Sequence, residues 1–178
     1  MAIDIPAGLS AGAVPPVPQP GPLAEFFWDA VVQGRLDILR CDNCGHYVHY
    51  PRPICDACLS ESLTPATVSG RGTVYAWTAV MQAFHPYFVD KLPYLLAVIE
   101  LEEQAGLKVT TNLVAVTEEK VWCGLPVEVV FTEICTGLVL PFFRPSSAGA
   151  TEQARYCGPP TRLLQSGLAT RPQADSWD

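Results

Sequence analysis

The chain has 178 residues, room for one ordinary domain or two small ones. Hydrophobic residues make up 49% and charged residues only 16%, which excludes wholesale disorder. Eleven Lys+Arg against 18 Asp+Glu leave a net charge of -7, the wrong sign for a protein that wraps nucleic acid by neutralising phosphates. So little charge over a half-apolar chain leaves apolar surface for a protein partner.

No stretch of about 18 uncharged apolar residues occurs, so no membrane span is expected. Met1 to Pro20 lacks a basic n-region and is too rich in proline for an apolar signal-peptide core. Seven cysteines, an odd number, argue against a disulfide framework, and the expectation is a cytoplasmic protein.

In chain order, residues 1–22 carry six prolines and read as an extended arm. Residues 23–35 read as a short helix. Leu23, Phe26, Phe27, Ala30 and Val31 form one apolar stripe, with Pro22 at the first turn and Gly34 at the stop. Phe26, Phe27 and Trp28 are consecutive, so one face cannot bury all three, and one ring remains for a partner.

Residues 36–66 are expected to fold around a metal. Cys41, Cys44, Cys55 and Cys58 read C-x2-C-x10-C-x2-C. Two thiolates separated by two residues turn inward on one tight knuckle, and two knuckles supply a tetrahedron of sulfurs. Gly45 follows the first knuckle and tolerates the left-handed backbone such a turn needs, whereas the second knuckle has Leu59 at that place. Structural zinc is the expectation, because a closed four-sulfur site has no open position for catalysis. Iron uses the same geometry, and a red rather than colourless protein would mark it. His46 and His49 lie inside the loop and are read as packing or surface residues.

Residues 67–145 change character. Strand-like runs are Thr73–Met81, Tyr94–Leu101, Leu107–Val116, Val127–Ile134 and Leu138–Phe143, separated by turns rich in Gly and Pro. Tyr94–Leu101 is nearly apolar throughout, so both its faces are expected to be covered. Five short strands and no long helix predict a small closed barrel, an OB-fold. The fold class is therefore mainly β: an N-terminal helix, a zinc ribbon, then a five-stranded barrel. Residues 146–178 lose the pattern and read as a tail ending in Trp177.

Several short motifs recur in a familiar order: Phe26-Phe27-Trp28, Gly34-Arg35-Leu36, the two cysteine pairs with Pro51-Arg52 between them, and Gly70-Arg71-Gly72-Thr73-Val74-Tyr75. Pro93-Tyr94, Gly124-Leu125-Pro126 and Pro141-Phe142-Phe143-Arg144-Pro145 follow. Over about residues 23–145 this resembles the acyl-CoA-associated proteins that join a rubredoxin-like zinc ribbon to an OB-fold. The resemblance implies a non-catalytic subunit. Its partner in a hetero-oligomer would be a thiolase, a lipid-transfer-type aldolase of sterol side-chain degradation, or a hydroxymethylglutaryl-CoA synthase. The chemistry on the acyl-CoA thioester would belong to that partner.

The residues agree in one respect. There is no Gly-x-Ser-x-Gly, no Gly-rich phosphate loop, and only three histidines, two of them in the ribbon. No catalytic residue is therefore assigned, and Cys123 and Cys135 are read as inert strand residues. A second candidate interface is the aromatic loop around Phe84, His85 and Tyr87, since aromatics are favoured at interface centres. Binding CoA would need a local cation, and Arg52 and Arg71 are the first choices. The alternative function, a nucleic-acid-binding module, meets five Lys/Arg against eight Asp/Glu in residues 68–145.

Overall fold

A computed structural model describes residues 13–147. The first part of the proline arm, the tail and Trp177 lie outside the described residues. The rest of the arm, from Ala13, has no regular secondary structure until a 3-10 turn at Pro22–Ala24 leads into α1 (Glu25–Val32). The helix is shorter than its apolar stripe, and Gly34 follows it with φ of 72°.

Three strands make the ribbon sheet: β1 (Asp37–Cys41), β2 (Tyr47–Val48) and β3 (Leu63–Thr67), in the order β2-β1-β3. Strand β3 is not evident from sequence because it contains Pro65. That proline is tolerated because β3 is an edge strand, free to turn a side without an N–H outward.

The barrel follows: β4 (Arg71–Val80), β5 (Tyr94–Leu101), β6 (Lys108–Leu113), β7 (Pro126–Cys135) and β8 (Leu138–Pro145). It is closed in the order β4-β5-β6-β8-β7. All pairings are antiparallel except the β6–β8 seam at Leu113↔Phe143, where Val114 N–H also donates to Phe143 O at 2.8 Å. A five-stranded Greek-key barrel with this seam is the OB-fold. At the β4–β5 crossing Gly72 is buried, and a Cβ there would collide with the Glu100 carbonyl oxygen, so only glycine permits the two backbones to approach this closely.

The core explains how the two modules become one body. Alternation along β1 points successive side chains to opposite faces. Ile38, with Leu36 just before the strand, joins the barrel core of Val74, Ile99, Val127 and Phe143, while Leu39 and Cys41 join the ribbon core with Val48 and Cys55. Helix α1 is shared in the same way: Phe27 packs on the barrel core and Phe26 on the ribbon core.

One strand departs from expectation. Leu95, Ala97, Ile99 and Leu101 of β5 are buried, but Leu96 on the opposite face is 36% exposed, so the outer face is not covered. The strand lies where the apolar run predicts it, but hydrophobicity without alternation hid that it has an inside and an outside.

Candidate metal centre and candidate docking surface

The four cysteine sulfurs are brought together by two copies of one turn. Gly45 N–H donates to Cys41 O at 2.8 Å, and Leu59 N–H donates to Cys55 O at 2.9 Å. Cys41 N–H donates to His46 O at 2.8 Å, and Cys55 N–H donates to Ser60 O at 2.9 Å. Both fifth residues are left-handed, Gly45 at φ 76° and Leu59 at φ 61°. The leucine therefore adopts the conformation that the glycine adopts freely, at a steric cost of about 1–2 kcal/mol.

The sulfurs lie within 4.8 Å of one another. Cys41–Cys58 and Cys44–Cys55 are separated by 3.6 and 3.7 Å. A tetrahedron with metal–sulfur bonds of about 2.3 Å has edges of about 3.8 Å, so the set fits a zinc ion. The surroundings favour thiolate unequally. Asn43 Nδ2 donates to Cys58 Sγ at 3.6 Å and, as the main cause, holds that thiol down at about 6. At Cys44 the His46 backbone N–H favours the thiolate, but the crowd of neighbouring sulfurs and desolvation outweigh it and push the thiol up to about 12. Four thiolates packed this closely need a cation. Asp42 pins the first knuckle to β3, accepting from Thr64 Oγ1 at 2.7 Å and Ser62 Oγ at 2.8 Å, and these hydroxyls lower its carboxyl.

Neither histidine joins the metal set. His46 Nε2 lies 3.2 Å from Asp56 Oδ1. The His49 ring is tilted against Tyr50 at 4.3 Å and lies 6.1 Å from the Phe27 ring, and burial lowers it to about 4. Its Nε2 is buried without a hydrogen-bond partner among the described residues.

The predicted docking residues divide. On α1, Phe26 and Phe27 are turned inward, and Trp28 packs edge-on against Phe27 at 5.3 Å, half-buried. Phe26 and Phe27 join ribbon to barrel, and Leu23 and Val32 are exposed apolar side chains of this segment. In the β4–β5 loop the 3-10 turn Pro86–Lys91 is capped by His85 Nδ1, which accepts from Tyr87 N–H at 3.2 Å. Tyr87 packs edge-on against Phe88. Phe84 is 83% exposed, and Met81, three residues earlier in the chain, is 71% exposed. Together with Leu96 on the outer barrel face, these are apolar side chains without cover. Met81 and Leu96 were missed because each reads as the core residue of a strand.

The two arginines are not brought to one cavity. Arg71 is tied to Glu102 at 2.9 Å and lines a shallow cavity of about 410 Å³ that also holds Glu102. Arg52 is exposed and meets Asp56 only at 3.9 Å. Cys123 sits in a turn rather than a strand, whereas Cys135 lies in β7 as expected.

Comparison with known proteins places these features. Residues 28–64 match the rubredoxin-like zinc ribbon domain of ChsH2, and residues 66–132 match its C-terminal OB-fold domain. The ribbon is thus a structural zinc site. The chain is 36% identical over 121 residues to a probable enoyl-CoA hydratase alpha subunit of Thermomonospora curvata, covering 68% of this chain but 37% of that protein. It is 37% identical over 97 residues to a DUF35 domain-containing scaffold protein of Methanocaldococcus jannaschii, 54% of this chain and 67% of that one. Among solved structures, a chain of an Ltp2-ChsH2(DUF35) aldolase is similar with a TM-score of 0.66 and 35% identity, covering 72% of this chain and 98% of that chain. No described helix is long and apolar enough to cross a membrane. On these grounds the chain belongs to the DUF35 family of zinc ribbon–OB-fold proteins, in its ChsH2 form.

Proposed function

We propose that this protein is a non-catalytic scaffold subunit that docks on a thiolase-like enzyme acting on acyl-CoA thioesters. The observation that carries the reading is the similarity, over 98% of the matched chain, to the DUF35 component of an Ltp2-ChsH2 aldolase. The uncovered apolar side chains Phe84, Met81 and Leu96 supply a physical reason for a partner. The partner's carbon–carbon chemistry would serve sterol side-chain or aromatic acyl-CoA degradation, and this chain would stabilise it. Of the two arginines, Arg52 is the better placed for a CoA phosphate, because Arg71 is already neutralised by Glu102.

The nucleic-acid alternative finds little support on the barrel. Arg71 and Arg144 are paired with Glu102 and Glu128, and Lys108 lies over the ring of Tyr75. Few cations remain for a phosphate track. The test has two arms: thiolase and aldolase assays on the purified chain, and titration with a single-stranded oligonucleotide at low salt. The reading expects no turnover and no binding. Turnover by the isolated chain would refute the scaffold role, and salt-sensitive oligonucleotide binding would favour the alternative.

A further inference from the structure

A cavity of about 270 Å³ lies where the N-terminal arm crosses one end of the barrel. Its wall combines Pro15 of the arm, Tyr87 and Phe88 of the 3-10 turn, and Leu140 and Phe142 of β8. Pro15 is buried, so the arm is held against the barrel and forms a fixed side of the cavity. An apolar cavity of about 150 Å³ is large enough to take up benzene, and this one exceeds it. Lys91 is the charged residue of the lining. Its ammonium is held 3.8 Å from the Tyr87 ring centroid and donates to Tyr87 O at 3.2 Å. An ammonium has three hydrogens, so donors remain for an anion at the rim. In a chain of net charge -7, a cation fixed beside an aromatic-lined hollow is a specific feature.

We propose that this cavity is a binding site for a small aryl carboxylate, the ring seated among Phe88, Leu140 and Phe142 and the carboxylate meeting Lys91. The site goes beyond the scaffold reading, because binding here requires only the isolated chain.

The probe is 3-phenylpropionate, with its neutral amide as control, titrated into the full-length zinc-loaded chain by calorimetry and by NMR of the aromatic side chains. Saturable 1:1 binding is expected, with shifts at Tyr87, Phe88 and Phe142. Leu140→Trp, which fills the hollow, should abolish binding of both probes. Lys91→Gln should weaken the carboxylate roughly threefold, as for an exposed ion pair, and leave the amide unchanged. Absence of saturable binding would overturn the proposal, as would undiminished binding in a natively folded Leu140→Trp variant. Binding that appears only after removal of residues 1–12 would overturn it too, by showing that the chain's own start occupies the hollow. If Leu140→Trp does not fold, the shift map and the Lys91→Gln comparison decide, and equal weakening of acid and amide would count against the site.

Discussion

The Gln104 carboxamide bridges the backbone of Tyr47 from the other module: its Oε1 accepts from Tyr47 N–H at 2.8 Å, and its Nε2 donates to Tyr47 O at 3.1 Å. A side chain from the β5–β6 turn thus does for β2 what a neighbouring strand would do. It satisfies both polar groups of a residue in a two-residue edge strand that would otherwise be unpaired on that side. Together with Phe27 and Ile38, it ties the ribbon to the barrel.

Replacing Gln104 by Ala removes both bonds. The expected loss is about 1–3 kcal/mol of stability, from two net hydrogen bonds. Hydrogen exchange should show the Tyr47 amide losing protection while the barrel strands keep theirs. An unchanged Tyr47 amide would mean that the bridge contributes nothing.

The metal centre should decide whether the ribbon folds. Cys41→Ser or Cys58→Ser breaks the tetrahedron, and a module with so small a core does not fold without its ion. Zinc content should fall from one per chain to well below it, with loss of ribbon structure by circular dichroism and NMR. A variant that keeps the native ribbon without metal would contradict the assignment.

Leu59 offers the opposite prediction. It is left-handed at φ 61° and 73% exposed, so its side chain contributes little burial while straining the turn. Leu59→Gly should relieve about 1 kcal/mol, part of which glycine's greater unfolded freedom offsets. Thermal unfolding of the zinc-loaded protein should shift upward or stay level, whereas Gly45→Leu should shift it downward.

His49 supplies a pH dependence. Burial lowers it from 6.5 in the open chain to about 4 in the fold. Between these values the unfolded chain binds the extra proton, so stability is fully present above about pH 6.5 and falls as the pH drops toward 4. The loss amounts to about 3 kcal/mol at most. His49→Phe keeps an aromatic ring in place and removes the proton, so the stability of the variant relative to wild type should rise as the pH falls from 7 to 4. A difference that does not change with pH would rule out this cause.

Much of this was legible in the sequence, for identifiable reasons. The cysteine pairs have a spacing that only a four-ligand site explains, and glycines at strand corners, such as Gly106 at φ 82° and Gly137 at φ 81°, announce the barrel. Strand β3 was hidden by Pro65, and the open outer face of β5 by the apolar Leu96. Phe26 and Phe27 read as candidate docking residues because a sequence shows that three rings crowd one helix, but not that two cores share it. The Gln104–Tyr47 bridge spans 57 residues, and no local pattern marks such a pair.

Docking on a thiolase-like protein is tested most directly by recovering the tagged full-length chain from its native host and identifying what accompanies it. The account predicts a thiolase-like or lipid-transfer-type protein in stoichiometric amount with the wild type, and its loss with Phe84→Asp, a change on a fully folded surface loop. Recovery of the chain without any such protein, or equal recovery with Phe84→Asp and Leu96→Asp combined, would contradict it.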